Sequence, residues 1–106
     1  MEAQPIFQVL SAEFARVEAR APAQYAPQVR DTGKRLDILY DHLNNDDLLK
    51  SDTVAQMVEL SRCIESRNWE RATAIQLDIQ VNKTEESGQW MVGVKRLISM
   101  GKAIAG

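Results

Sequence analysis

The feature that most narrows what this chain can fold into is an apolar stripe near its C-terminal end. Gly88 to Gly101 reads Gly-Gln-Trp-Met-Val-Gly-Val-Lys-Arg-Leu-Ile-Ser-Met-Gly, with one of the two tryptophans and three of the five glycines. Trp90, Val94, Leu97, Ile98 and Gly101 recur at i, i+4, i+7, i+8 and i+11, which places them on one face of an α-helix. Gly93 lies inside that pattern, where glycine costs about 1 kcal/mol relative to alanine. A helix carrying that cost is expected to have another element packed close against it. The stretch therefore predicts a buried, organising helix from Gly88 to about Ile104.

Helical periodicity runs through the rest of the chain, and strand-like alternation is nearly absent. A first helix is expected from Pro5 to about Ala21, because proline suits a first helical turn and Pro22 closes the segment. Its apolar face is read as Ile6, Phe7, Leu10, Phe14 and Val17, with Arg16, Glu18 and Arg20 outside that face or at its edges. A second helix spans Pro27 to Leu43, weakened at Gly33, with Val29, Leu36, Leu39, Tyr40 and Leu43 on one side and Ile38 on the other. Asn44 and Asn45 end it, and Leu48 and Leu49 are expected to tuck onto the core. A third helix is expected to take Ser51 or Asp52 as N-cap and to bury Val54, Met57, Val58, Leu60, Ser61 and Ile64. Asn68 should cap a fourth helix after a short link, implying an antiparallel neighbour. That helix shows one stripe through Trp69, Ala72, Ile75 and Ile79 and another through Leu77 and Val81, so burial from two sides is expected. Asn82 to Ser87 reads as a polar turn. The expected fold is a compact all-α bundle of about five helices, one domain over residues 1–106.

Composition excludes several function classes. A formal charge of −2 gives no general attraction to nucleic acid or anionic membranes. No apolar run approaches the roughly 18 residues of a spanning helix, and the N-terminus lacks a signal-peptide pattern. The single cysteine, Cys63, excludes an internal disulfide. His42 is the only histidine, and the nearby Asp41, Asp46, Asp47 and Asp52 do not follow calcium-loop spacing; helix-end capping and solvation account for them, and no metal is expected. Cys63 reads as a small residue at a helix flank rather than a nucleophile. Ser99 and Lys102 match Ser-x-x-Lys, but the companion motifs of that chemistry are missing. No phosphate-binding glycine loop is present. The expectation is a protein without catalytic activity, cofactor or small-molecule substrate.

The basic residues carry more. Lys95, Arg96 and Lys102 follow Gly88 with no acid among them, and Arg30, Lys34 and Arg35 lie on the second helix beside Asp31 and Asp37. Cations at a helix C-terminus offset its exposed carbonyls, and mixed charge is the ordinary content of a solvated face. These six residues are nevertheless the candidates for contact with an acidic protein surface. Both tryptophans fall on apolar stripes and are expected to anchor packing.

The run Trp90-Met91-Val92-Gly93-Val94-Lys95-Arg96-Leu97-Ile98 resembles the last-helix signature shared by two related groups. One is the C-terminal domain of the large outer-coat subunit of COPII vesicles, and the other is the steroid receptor RNA activator protein. Lys34-Arg35-Leu36-Asp37-Ile38-Leu39-Tyr40-Asp41-His42-Leu43-Asn44-Asn45 is similar to the coat-subunit branch in particular. Asn68-Trp69, followed by Ala72, Ile75 and Gln76, is similar to the family's fourth helix. The resemblance covers about Val9 to Ala103. It implies a helical appendage excised from the C-terminal end of a longer subunit, tethered by a flexible proline-rich segment to a rod and propeller. The implied role is a non-catalytic contact stabilising the coat that drives budding from the endoplasmic reticulum. Its partners would be other coat subunits, of the inner coat or of neighbouring outer-coat rods. Its location would be cytoplasmic, peripheral on coated vesicles and endoplasmic reticulum exit sites, without membrane insertion. The other branch implies an RNA-associated or transcription-coregulator domain, and a third reading is self-association.

Overall fold

Residues 3–105 are described by a computed structural model, and among them every regular element is helical. Helix α1 spans Gln4–Arg20, α2 Ala26–Asn45, α3 Ser51–Glu65, α4 Trp69–Asn82, the single turn α5 Thr84–Ser87, and α6 Met91–Ala105. The two prolines that bracket Ala23–Ala26 leave room only for a 3₁₀ turn at Ala23–Tyr25 before α2 begins.

Helix α1 packs on α3 and α6, α3 on α4, and α4 on α6, so these four close a ring. Helix α2 lies outside the ring, mainly along α6. The interior is filled by Ile6, Leu10 and Val17 of α1, Met57, Leu60 and Ile64 of α3, Ala72, Ile75 and Ile79 of α4, and Val94, Leu97 and Ile98 of α6. Trp90, just before α6, is wholly buried and donates its indole N–H to the Glu86 carbonyl at 2.8 Å. That bond satisfies the one polar atom of the side chain.

Gly93 fulfils the expectation attached to it. A Cβ there would sit 2.6 Å from Cβ of Arg35 and 3.2 Å from the Thr32 carbonyl oxygen, so α2 crosses α6 nearly backbone to backbone. Asn68 caps α4 as expected, its side-chain oxygen accepting from the Arg71 N–H at 3.2 Å. Asn45 ends α2, and Asp46 follows in the left-handed conformation that terminates helices.

Other expectations are corrected. Phe7 is half exposed, with its ring edge-on to Tyr40 at 4.9 Å, because it lies over the α1–α2 seam rather than inside the ring. Leu77 and Val81 are exposed, at 48% and 71%. Helix α4 is a ring member with neighbours on its inner side only, so its second stripe is uncovered. Leu48 is also exposed: it has positive φ in the α2–α3 turn, and only Leu49 packs on the core. Ser51 and Asp52 are helical rather than capping. Lys50 holds the N-cap position, with its N–H donating to the Glu86 carboxylate at 2.8 Å, while Asp52 pairs with Lys83 at 2.9 Å. The expected polar turn at Asn82–Ser87 divides between the end of α4 and α5, and it buries Glu86 and Ser87. The last helix starts at Met91 rather than Gly88. Cys63 is buried against the core, not at a flank.

Candidate functional site

The six basic candidates fall into separate groups once the helices are assembled. Arg35 and Arg96 face each other across the α2–α6 crossing, because Arg96 lies one turn beyond Gly93. Asp31 sits between them, 2.5 Å from Arg96 and 3.8 Å from Arg35. The Arg96 guanidinium, with Arg35 and Lys34 nearby, holds the Asp31 carboxyl below its ordinary value. Arg35 also donates to the Gln89 carbonyl at 3.1 Å, tying α2 to the turn before α6. These two arginines therefore fasten the crossing as well as present charge.

Arg30 and Lys34 are exposed on the outer face of α2, on a stripe that continues through Asp37 and Asp41. Lys95 and Lys102 are exposed on α6, seven residues apart, which places them on one stripe about 10.5 Å apart. None of these four cations makes an ion pair with an acid among the described residues.

Lys102 has neighbours that no local pattern announced. It lines an open hollow of about 540 Å³ with Arg16 and Arg20 of α1, Arg67 of the α3–α4 turn, Trp69 and Ile104. Beneath lies Glu13, buried at 5% exposure and bonded to Arg16 at 2.6 Å and Arg67 at 2.9 Å. Burial pushes the Glu13 carboxyl upward, but the hydrogen bonds and charges of Arg16 and Arg67 outweigh it and hold the group below its ordinary 4.5. Arg16 also donates to the Gly101 carbonyl at 3.1 Å, and a side chain at Gly101 would collide with the Glu13 carboxylate. Trp69 packs at the rim of the core, with Arg67 5.7 Å above its ring.

Arg67 reaches this position through its backbone. Its φ of 65° puts it in the left-handed region at the end of α3, where glycine is the usual occupant. The Asn68 N–H bonds the Cys63 carbonyl at 2.7 Å and the Arg67 N–H bonds that of Ile64 at 3.1 Å, closing the helix.

The other candidates have structural roles. His42 bonds Asp47 at 2.7 Å through Nδ1, at the end of α2 where capping was expected. Burial pushes the Cys63 thiol above its ordinary 9.0, opposite to what a nucleophile needs. Tyr40, pushed up to about 12 by burial and Asp37, lines a second hollow of about 520 Å³ with Phe7 and Leu43. No helix among the described residues is long and apolar enough to cross a membrane.

Comparison with known proteins gives a consistent picture. The family described as Steroid receptor RNA activator (SRA1) matches residues 5–105. Proteins named protein transport protein sec31 match from Aspergillus fumigatus at 57% identity over 102 residues and from Aspergillus terreus at 56% over 102. The protein of that name from Coccidioides immitis matches at 56% over 101 residues. These alignments cover 95–96% of this chain and 8% of each relative, so the chain spans about one-twelfth of the length of the curated relatives it matches.

Proposed function

The chain belongs to the steroid receptor RNA activator family, and from that membership and its relatives we propose that it is a non-catalytic contact module acting in protein transport. Its role is to stabilise the assembled COPII coat during budding from the endoplasmic reticulum. The observation that carries this reading is the 57% identity to a protein named for transport, sustained over 96% of the chain. The partners are other coat subunits, met on the cytoplasmic side of coated vesicles and exit sites. As one small part of a long subunit, the module works at high effective concentration, so a weak contact repeated over a lattice is sufficient.

The chemistry of the surface supports a protein partner. Lys95, Lys102, Arg30 and Lys34 are exposed cations on a chain of net charge −2, and Trp90 is sealed in the core. A stacking platform for unpaired bases needs exposed aromatic faces along a basic track. Arg35 and Arg96 belong to the proposed contact only through what their ties to Asp31 leave free.

The test uses the full-length coat subunit with this domain deleted, and a second version carrying K95E and K102E. Both are assembled with the remaining coat proteins on liposomes. Deletion should lower coat coverage severalfold, and the double reversal should reproduce part of that loss at unchanged thermal stability. Full assembly without the domain refutes the reading.

A further inference from the structure

We propose that the hollow bounded by Arg16, Arg20, Arg67, Lys102, Trp69 and Ile104 is a docking site for an acidic protein segment bearing aliphatic side chains. This inference rests on the contact-module reading and names the surface and the chemistry of its partner.

The charge balance comes first. Four cations from three separate elements line the hollow, and among the described residues no acidic side chain lines it with them. Glu13 lies underneath, bonded to Arg16 and Arg67. The C-terminal ends of α1 and α6 also converge here, each worth roughly half a negative charge. Among the described residues, roughly two positive charges remain unmatched after Glu13 and the two helix ends are counted. The chain as a whole carries −2, so this end is reversed in sign relative to the molecule.

The second observation is the rigidity of that charge. Glu13 is 5% exposed and grips two guanidinium groups at once, so Arg16 and Arg67 are held before any partner arrives. Arg67 occupies a left-handed backbone position that is unfavourable for a non-glycine residue. Each guanidinium has five donors, and Arg67 commits one nitrogen to Glu13 among the described residues. Arg20 and Lys102 make no side-chain hydrogen bond to any described residue. Fixed arginines with unused donors recognise carboxylates with little further ordering cost.

The third observation separates peptide from nucleic acid. Trp69 and Ile104 add half-buried apolar surface to the hollow, which suits a leucine or isoleucine between two acidic residues. The single indole already has Arg67 over its ring, and no second aromatic ring lines the hollow to continue a stacking track.

The test is titration of the ¹⁵N-labelled chain with the acidic octapeptide Glu-Asp-Leu-Glu-Glu-Leu-Asp-Glu, followed by NMR. The Trp69 indole resonance and the amides of Arg20 and Lys102 should shift and saturate, while the Trp90 indole, bonded to Glu86, stays still. The variant R20E/K102E removes charges that hold no ion pair among the described residues, so it should fold normally and bind about tenfold or more weakly. Affinity should fall as salt rises. Three results overturn the proposal: no shift at Trp69 up to millimolar peptide, equal binding by R20E/K102E, or tighter binding at these residues by oligo-uridylate or phosphatidylserine vesicles. Failure of peptide binding with coat assembly still dependent on the domain sinks this inference alone. Assembly indifferent to the domain's deletion sinks the reading it rests on.

Discussion

Substituting Gly93 by alanine tests the packing logic on which the whole bundle depends. The added methyl would lie 2.6 Å from Cβ of Arg35, 3.2 Å from the Thr32 carbonyl oxygen and 3.3 Å from the Leu36 nitrogen. Ordinary contact begins near 3.4 Å, so α2 and α6 must separate by close to 1 Å. None of the three atoms is the far end of a flexible side chain, so no local adjustment absorbs the clash. A gap of 0.5–1 Å forfeits about a quarter to a half of each dispersion contact along the seam. Overpacking of this kind costs about 1–3 kcal/mol, and a crossing fixed by backbone atoms belongs at the upper end. Against this, alanine restores about 1 kcal/mol of helix propensity. The expected net loss is about 1–2 kcal/mol, a fall in Tm of roughly 5–15 °C for a domain this size. Urea unfolding followed by circular dichroism measures it, with two glycines as controls. At Gly33 the new methyl meets only the Phe14 ring, at 3.0 Å, and that ring can move; G33A should lie within about 1 kcal/mol of wild type. At Gly88 the nearest atom is the Thr84 oxygen at 3.2 Å in an exposed turn, and G88A should be comparably mild. If G93A equals or exceeds wild-type stability while the controls behave as described, α2 does not cross α6 at this point.

Two further outcomes follow from the same physical picture. E13Q leaves Arg16 and Arg67 without their carboxylate and should cost about 1–3 kcal/mol at neutral pH; because the folded Glu13 value is depressed, wild-type stability is fully present above about pH 4.5 and lost as pH falls through the folded value, and E13Q should flatten that acid limb in urea melts taken between pH 6 and 3. L77E and V81E, on the uncovered stripe of α4, should each change stability by less than about 0.5 kcal/mol, and a loss above about 2 kcal/mol would show that this face packs on something.

Those exposed positions mark where sequence periodicity stops being informative. A 3.6-residue repeat reports which side of a helix is apolar, and it located the inner faces of α4 and α6, of α1 apart from Phe7, and of α3 apart from Val54, which is only partly buried. It does not report how many neighbours a helix has. Helix α4 carries two apolar stripes and α2 carries Ile38 away from its main face, yet α4 leaves Leu77 and Val81 bare while Ile38 packs on the core. Phe7 failed for the same reason: it sits on the right side of α1 by period, but over the seam with α2. Local chemistry did better where the cause was local. Asn68 caps α4 because a side-chain oxygen at that position needs no tertiary partner to find the Arg71 N–H. Ser51 does not cap α3: the N-cap position falls to Lys50, whose own N–H donates to a distant carboxylate, Glu86. Gly93 was readable because its cost within a helix demanded a neighbour, and the neighbour is α2.

The basic hollow had no comparable signal, and the reason bears on how such a surface acts. Arg16 bonds Gly101 across 85 positions and Arg67 bonds Glu13 across 54, so the cluster exists only when α1, the α3–α4 turn and α6 meet. In sequence Lys102 is grouped with Lys95 and Arg96; in space Arg96 is turned to Asp31, and Lys102 joins arginines from the other end of the chain. Isolated exposed cations interact with a partner by about 1 kcal/mol or less. Cations held around one buried carboxylate are already ordered and partly desolvated, and a partner's acidic groups meet them without that cost. A surface of this kind therefore depends on Glu13, which touches no partner. E13Q adds one unmatched positive charge to the hollow while releasing both guanidinium groups. If their fixed placement governs recognition, folded E13Q should bind the acidic peptide more weakly despite that charge, and equal or tighter binding would mean that the arginines act as independent charges.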